Sequence, residues 1–109
     1  MSIDEINKID IISTSQKGDT WLTIADHFDW SDPKQHLLLL QDKINAYIQF
    51  IEEGEIFETH PDAKKEQISI QVVFKIDPTV DAISFLEKCK QVITDLGIGF
   101  FWQTHNPKT

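Results

Sequence analysis

The strongest constraint on this chain is the run from Gln67 to Ile76. Here Ile68, Ile70, Val72, Phe74 and Ile76 alternate with Ser69, Gln71, Val73 and Lys75. Successive side chains of a strand point to opposite faces, so this pattern predicts a strand with one buried and one open face. A sheet built on it needs a cover on one side only.

Two helical segments can supply that cover. The first opens at Ser31-Asp32-Pro33-Lys34-Gln35, with Asp32 as N-cap, Pro33 at the first helical position and Gln35 three residues after the cap. It is expected to run to about Glu53 and to stop at Gly54. Leu37, Leu40, Ile44, Tyr47, Ile48 and Ile51 form one stripe, while Leu39, Ala46 and Phe50 fall on the far side. A second apolar strip implies contact with a neighbouring helix or a partner as well as with a sheet. The second helix opens at Asp77-Pro78-Thr79 and closes at Gly97, with Ala82, Phe85, Leu86, Cys89, Val92, Ile93 and Leu96 on one face. Cys89 lies mid-stripe with no histidine near it in sequence, so it reads as a small buried hydrophobe rather than a nucleophile.

Shorter strands complete the pattern. Ile9 to Thr14 and Thr20 to Phe28 read as a hairpin around Gln16-Lys17-Gly18-Asp19, Glu55 to Thr59 as a short strand, and Ile98 to Thr104 as the last strand. The expected order is β-β-α-β-β-α-β. This is an α+β two-layer sandwich with a mainly antiparallel sheet and both helices on one face, a ferredoxin-like core preceded by an extra strand. With no linker, repeat or low-complexity stretch, residues 1–109 are expected to form a single domain.

Charge narrows the function classes. The formal net charge is −8, from 18 acidic residues against 10 lysines, and arginine is absent. Nucleic-acid and anionic-membrane binding both call for clustered basic residues, so neither is expected. No apolar run approaches the ~20 residues of a membrane span. The N-terminus lacks a basic start and an apolar stretch, and Cys89 is the single cysteine, which together point to a cytoplasmic protein. A cation or a basic protein fits the charge, although acidity also serves solubility alone.

Strand parity places Trp21, Thr23, Ala25, His27, Val73 and Phe101 on the open face if Leu22, Ile24, Phe28, Ile98, Phe100 and Trp102 point to the helices. An apolar strip on an open sheet face marks a contact surface, unless a bulge or loop tucks the two rings away. Asp26 breaks the pattern, because it has core parity. An unpaired buried carboxylate is costly, so the strand ends before Asp26, bulges there, or finds it a partner.

The segment Asp26–His36 is the one cluster with site chemistry. Asp26, His27, Asp29 and His36 are candidate metal ligands or acid–base groups, yet no established metal or nucleophile spacing is present. Each also has a plain structural role available, with Asp32 as cap, Asp29 or Ser31 bonded to the turn, Trp30 stapling the helix start near Leu37 or Gln41, and His36 covering the stripe. A second candidate is the acidic run Glu52, Glu53 and Glu55 with Glu58 at the end of the first helix. Negative charge is unfavourable at a helix C-terminus, so the run reads as a site for basic groups or as a solvated rim.

Three stretches carry a resemblance: Leu22-Thr23-Ile24-Ala25-Asp26-His27-Phe28-Asp29-Trp30, His36 through Tyr47, and Phe50 through Ile56, with Phe85-Leu86-Glu87-Lys88 also similar. On these the chain resembles a family of small bacterial proteins of unassigned function. The resemblance implies a bacterial, free-standing, cytoplasmic domain and no reaction. Its motif would include Asp26, His27, Trp30, His36, Gln41, Lys43, Asn45 and Tyr47, a polar network around Asp26 and His27 that is functional or structural.

The leading expectation is a non-enzymatic module without a cofactor. It would bind another protein, or a second copy of itself as a homodimer, through Trp21, Thr23, Val73 and Phe101 and the acidic rim of Glu52, Glu53 and Glu55. An immunity-type protein that neutralises a toxin is one form of this. The alternative is a metal-dependent or acid–base enzyme using the Asp26–His36 cluster.

Overall fold

The computed structural model describes residues 11–15 and 17–104. Ile9 and Asp10, expected in the first strand, lie outside the described residues. The elements are β1 (Ile11–Thr14), β2 (Thr20–Asp26), α1 (Pro33–Glu52), α2 (Glu55–Thr59), a short 3-10 turn (Lys65–Gln67), β3 (Ile68–Phe74), α3 (Val80–Asp95) and β4 (Gly99–Thr104).

Four strands form one mixed sheet in the order β1-β2-β3-β4. β1 and β2 make the antiparallel hairpin that the Gly18 turn predicts. β2 pairs with β3, and β3 with β4, in parallel. The architecture is therefore α+β and two-layered, as expected, while the interleaved, mainly antiparallel ferredoxin-like sheet is not what forms.

The difference traces to Glu55–Thr59, which is helix and not strand. Gly54 takes a left-handed conformation at φ +83° and turns the chain between α1 and α2. Ile56 is then buried in the core, and Glu55 and Glu58 fall in the first turn of α2, where negative charge is favourable. With no strand between α1 and β3, the chain makes one crossover from β2 to β3, and a crossover returns the next strand in parallel.

Helix ends follow local chemistry. The Asp32 carboxylate accepts the Gln35 amide at 3.3 Å and Pro33 opens α1. At α3 the cap is Thr79, whose hydroxyl accepts the Ala82 amide at 3.1 Å. Gly97, at φ +85°, turns the chain out of α3 toward β4.

One core lies between the helices and one face of the sheet. Leu22 and Ile24 of β2, Ile68, Ile70, Val72 and Phe74 of β3, and Phe100 of β4 meet Leu40, Ile44, Tyr47 and Ile51 of α1 and Leu86 and Ile93 of α3. The expected stripes hold in their centres and fade at their edges, since Leu37 and Ile48 are half-buried and Val92 is exposed. Leu39 and Phe50 of the second strip of α1 pack partly against the same core. His36 and Lys43 are buried on the apolar side of α1. The Tyr47 hydroxyl donates to the Thr23 carbonyl at 3.1 Å, which ties α1 to β2.

Candidate functional site

Asp26 closes β2, and His36 lies in the first turn of α1. The loop between them is short enough to bring the two side chains together, at 2.5 Å from His36 Nε2 to Asp26 Oδ2. His36 Nδ1 lies 2.9 Å from the Asp29 carbonyl, which can only accept, so Nδ1 carries a proton. One further proton lies between Nε2 and Oδ2. Asp26 Oδ1 accepts the Phe28 amide at 3.0 Å. Trp30 stacks on the imidazole with centroids 3.7 Å apart and 21° between planes. Its indole N–H donates to the Ile76 carbonyl at 3.3 Å, linking this loop to the one that follows β3.

The two partners are sealed, with side chains 2% and 0% exposed. Both ring nitrogens are engaged, Trp30 covers the ring, and each Asp26 oxygen has a partner. The arrangement clamps β2, its loop and α1 together and offers no open position to a reactant. Burial is the largest influence on the Asp26 carboxyl and pushes its pKa above the ordinary 3.8, while the bond to His36 pulls the other way.

Of the four candidate ligands, the structure joins only Asp26 and His36 through their side chains. Asp29 contributes its carbonyl to His36, while its exposed carboxylate accepts from the Ser31 amide and hydroxyl, which lower its pKa. His27 lies past the end of β2 and is exposed, not outward-facing on the strand. Among the described residues, no three His, Cys, Asp or Glu side chains gather as metal ligands. Trp30 does lie against the first turn of α1, where it stacks on His36, and it also reaches Ile76.

The other face of the sheet is more informative. Across β2, β3 and β4 the register aligns Trp21 with Ser69 and Gly99, Thr23 with Gln71 and Phe101, and Ala25 with Val73 and Gln103. The core residues Leu22, Ile24, Ile68, Ile70, Val72, Phe74 and Phe100 have the opposite parity, so these nine positions form the outer face of β2, β3 and β4; none is charged, Thr23 is buried, and Trp21 and Phe101 are half-buried. Trp21 and Phe101 meet edge-on, 4.8 Å between centroids, although β3 separates their strands. In the row of Trp21, β4 carries Gly99, where a Cβ would lie 2.4 Å from Ser69 Oγ and 3.2 Å from Ser69 Cβ, so the side chain of Ser69 closely approaches the β4 backbone. Gln71 donates to the Thr23 hydroxyl at 2.9 Å, satisfying polar groups between the rings. The alternation in β3 already places Gln71 on this side, whereas Gly99 is not legible as part of the surface, although glycine inside a strand signals close approach.

The acidic run splits. Glu52 is bonded to Lys65 at 2.9 Å, and Glu53, Glu55 and Glu58 are exposed. Lys65 opens the 3-10 turn that leads into β3, so Glu52 sits at the end of the sheet where β3 begins, the end that carries Trp21. On the helix side, an apolar groove of about 320 Å³ runs between α1 and α3 and contains Ile48, Phe85 and Cys89. Burial raises the pKa of the Cys89 thiol and so favours its protonated form. Among the described residues, no helix is long and apolar enough to cross a membrane.

These features define a two-layer α+β domain with an internal Asp–His clamp and an uncharged open sheet face. The chain belongs to a family of unknown function, DUF6572, whose sequence model matches residues 1–106. No curated protein matches the chain. No solved structure matches it either.

Removing the imidazole leaves a buried carboxylate without its partner. His36→Ala is expected to lose about 3–5 kcal/mol at neutral pH, by denaturant unfolding, whereas His27→Ala should stay within about 0.5 kcal/mol. Equal effects of the two would contradict the clamp.

A second check is the carboxyl titration of Asp26 by carbon NMR, with a midpoint expected above 3.8. A folded-state pKa above the unfolded one means that Asp26's own contribution to stability is complete below about pH 3.8 and is lost as pH rises through the folded value. A midpoint at or below 3.8 would contradict burial as the dominant influence.

Proposed function

We propose that this protein is a non-enzymatic binding module that receives a cationic protein partner on its open sheet face. The observation that carries this reading is the absence of charge from nine contiguous outer-face positions in a chain that is 26% charged. The cores of protein interfaces are depleted of charge and enriched in aromatic residues, and this face has both properties. A solvated sheet face of the same area ordinarily carries polar and charged side chains.

Charge selects the partner. The net charge of −8, with no arginine, steers basic surfaces toward the chain, while the neutral face provides the contact. Glu52 stands at the Trp21 end of the sheet, and with the exposed Glu53, Glu55 and Glu58 that follow it in the chain it would form an acidic rim. Trp21 and Phe101 are the anchors, and Thr23, Gln71 and Val73 surround them. An immunity-type protein that masks the basic active site of a toxin is one form of this function, in a bacterial cytoplasm. The Asp26–His36 pair supports the module by holding the strand and loop that carry Trp21 and Thr23.

The test is recovery of the partner from native cells with the wild-type chain and with Phe101→Asp. The expected result is a basic protein bound in stoichiometric amount to wild type and weakened at least tenfold by Phe101→Asp, with the circular dichroism of the variant unchanged. An acidic partner, or one retained fully by Phe101→Asp, would contradict the reading.

A further inference from the structure

β4, Gly-Phe-Phe-Trp-Gln-Thr, is an edge strand, and among the described residues it pairs only with β3. Proteins protect exposed edges with charge, proline, bulges or very short strands. β4 has no charge and no proline, and its register with β3 runs unbroken from Gly99 to Thr104. Phe100 is buried in the core, whereas Phe101 on the outer side and Trp102 on the helix side are only half-buried. A groove on the helix side lies between Trp102 and the flank of α3 that carries Glu87, Lys90 and Asp95.

We infer that β4 pairs antiparallel with β4 of a second copy of this chain, making one continuous eight-stranded sheet about a two-fold axis. An antiparallel pair of identical strands is self-complementary, as a two-fold interface requires. The spacing also fits. α3 connects β3 to β4, and in the proposed dimer it lies over these two strands. Across the joined edge the two α3 helices are then about two strand spacings apart, roughly 9.6 Å. That falls in the 8–10 Å range at which helices pack. Trp102 of each copy closes beneath the helix pair.

Charge complementarity names a second copy as the occupant. The edge strand is neutral, so the repulsion between two chains of net charge −8 is not focused there. The α3 flank carries both signs, with Lys90 between Glu87 and Asp95. In an antiparallel helix pair, Lys90 of one copy meets Glu87 or Asp95 of the other, and symmetry makes that contact twice. The outer faces of the two copies then lie side by side on one surface. The two surfaces share β4, whose Phe101 and Gln103 lie on the outer face, but Lys90 on α3 belongs to the edge interface alone and Trp21 on β2 to the partner face alone, so these two positions distinguish failure of one from failure of the other.

Sedimentation equilibrium of the full chain across the micromolar range tests it. The expected result is a concentration-dependent dimer, weakened at least tenfold by Lys90→Glu and by Gln103→Lys, and unchanged by Trp21→Asp. Both edge substitutions are at exposed positions, and circular dichroism checks that each variant is folded. A monomer at every concentration overturns the inference. So does a dimer that survives both edge substitutions, whether or not Trp21→Asp disrupts it, because its contact then lies elsewhere.

Discussion

A sheet covered on one face only is the constraint from which the rest of this structure follows. α1 and α3 pack on the same side, and their buried residues join those of β2, β3 and β4 in one core. The core supplies the hydrophobic stabilisation that a chain of 109 residues needs. Among the described residues, no helix covers the opposite face of the three parallel strands, which is uncommon, because parallel sheets are ordinarily covered on both sides. The uncovered face has lost charge instead of gaining it. Its polar groups are small or uncharged, and Gln71 and Thr23 bond to each other. The surface thus has the chemistry of an interface core set on a rigid sheet.

The Asp26–His36 contact serves this arrangement at the other end of the strands. A carboxylate at the last residue of β2 has core parity, and the first turn of α1 delivers the imidazole that satisfies it. The proton on Nδ1 is set by the Asp29 carbonyl, and Trp30 closes the ring and reaches Ile76. Buried ion pairs of this kind contribute little net stability over an apolar substitute but are costly to break. Their value lies in fixing one loop geometry. Here that geometry joins β2 to α1 and, through Trp30, to the chain leaving β3.

Much of this was legible in the sequence. The alternation in β3 gave its faces, Asp32 with Pro33 gave the start of α1, and Gly54 and Gly97 gave the helix ends. The parity of Asp26 signalled that it needed a partner, and Trp21, Thr23, Val73 and Phe101 were placed on the open face. Ladder direction was not legible, because a period of two reports which face is buried and says nothing about the neighbouring strand. Glu55–Thr59 was misread for a related reason. Five residues with one buried isoleucine fit either element, and the left-handed Gly54 decides between them. His36 is one of several candidates visible in the sequence, but its partner is ten residues away and becomes evident only when the loop closes. The Trp21–Phe101 contact needed the strand order, since these residues sit on strands separated by β3.

The central claim, that the outer sheet face is covered in its working state, is most directly tested by hydroxyl-radical footprinting of the chain inside its own cells and after purification. The account predicts that Trp21 and Phe101 react readily in the purified protein and are protected in cells, while Leu38, 56% exposed on the helix side, reacts equally in both. Equal labelling of Trp21 and Phe101 in the two settings would contradict it.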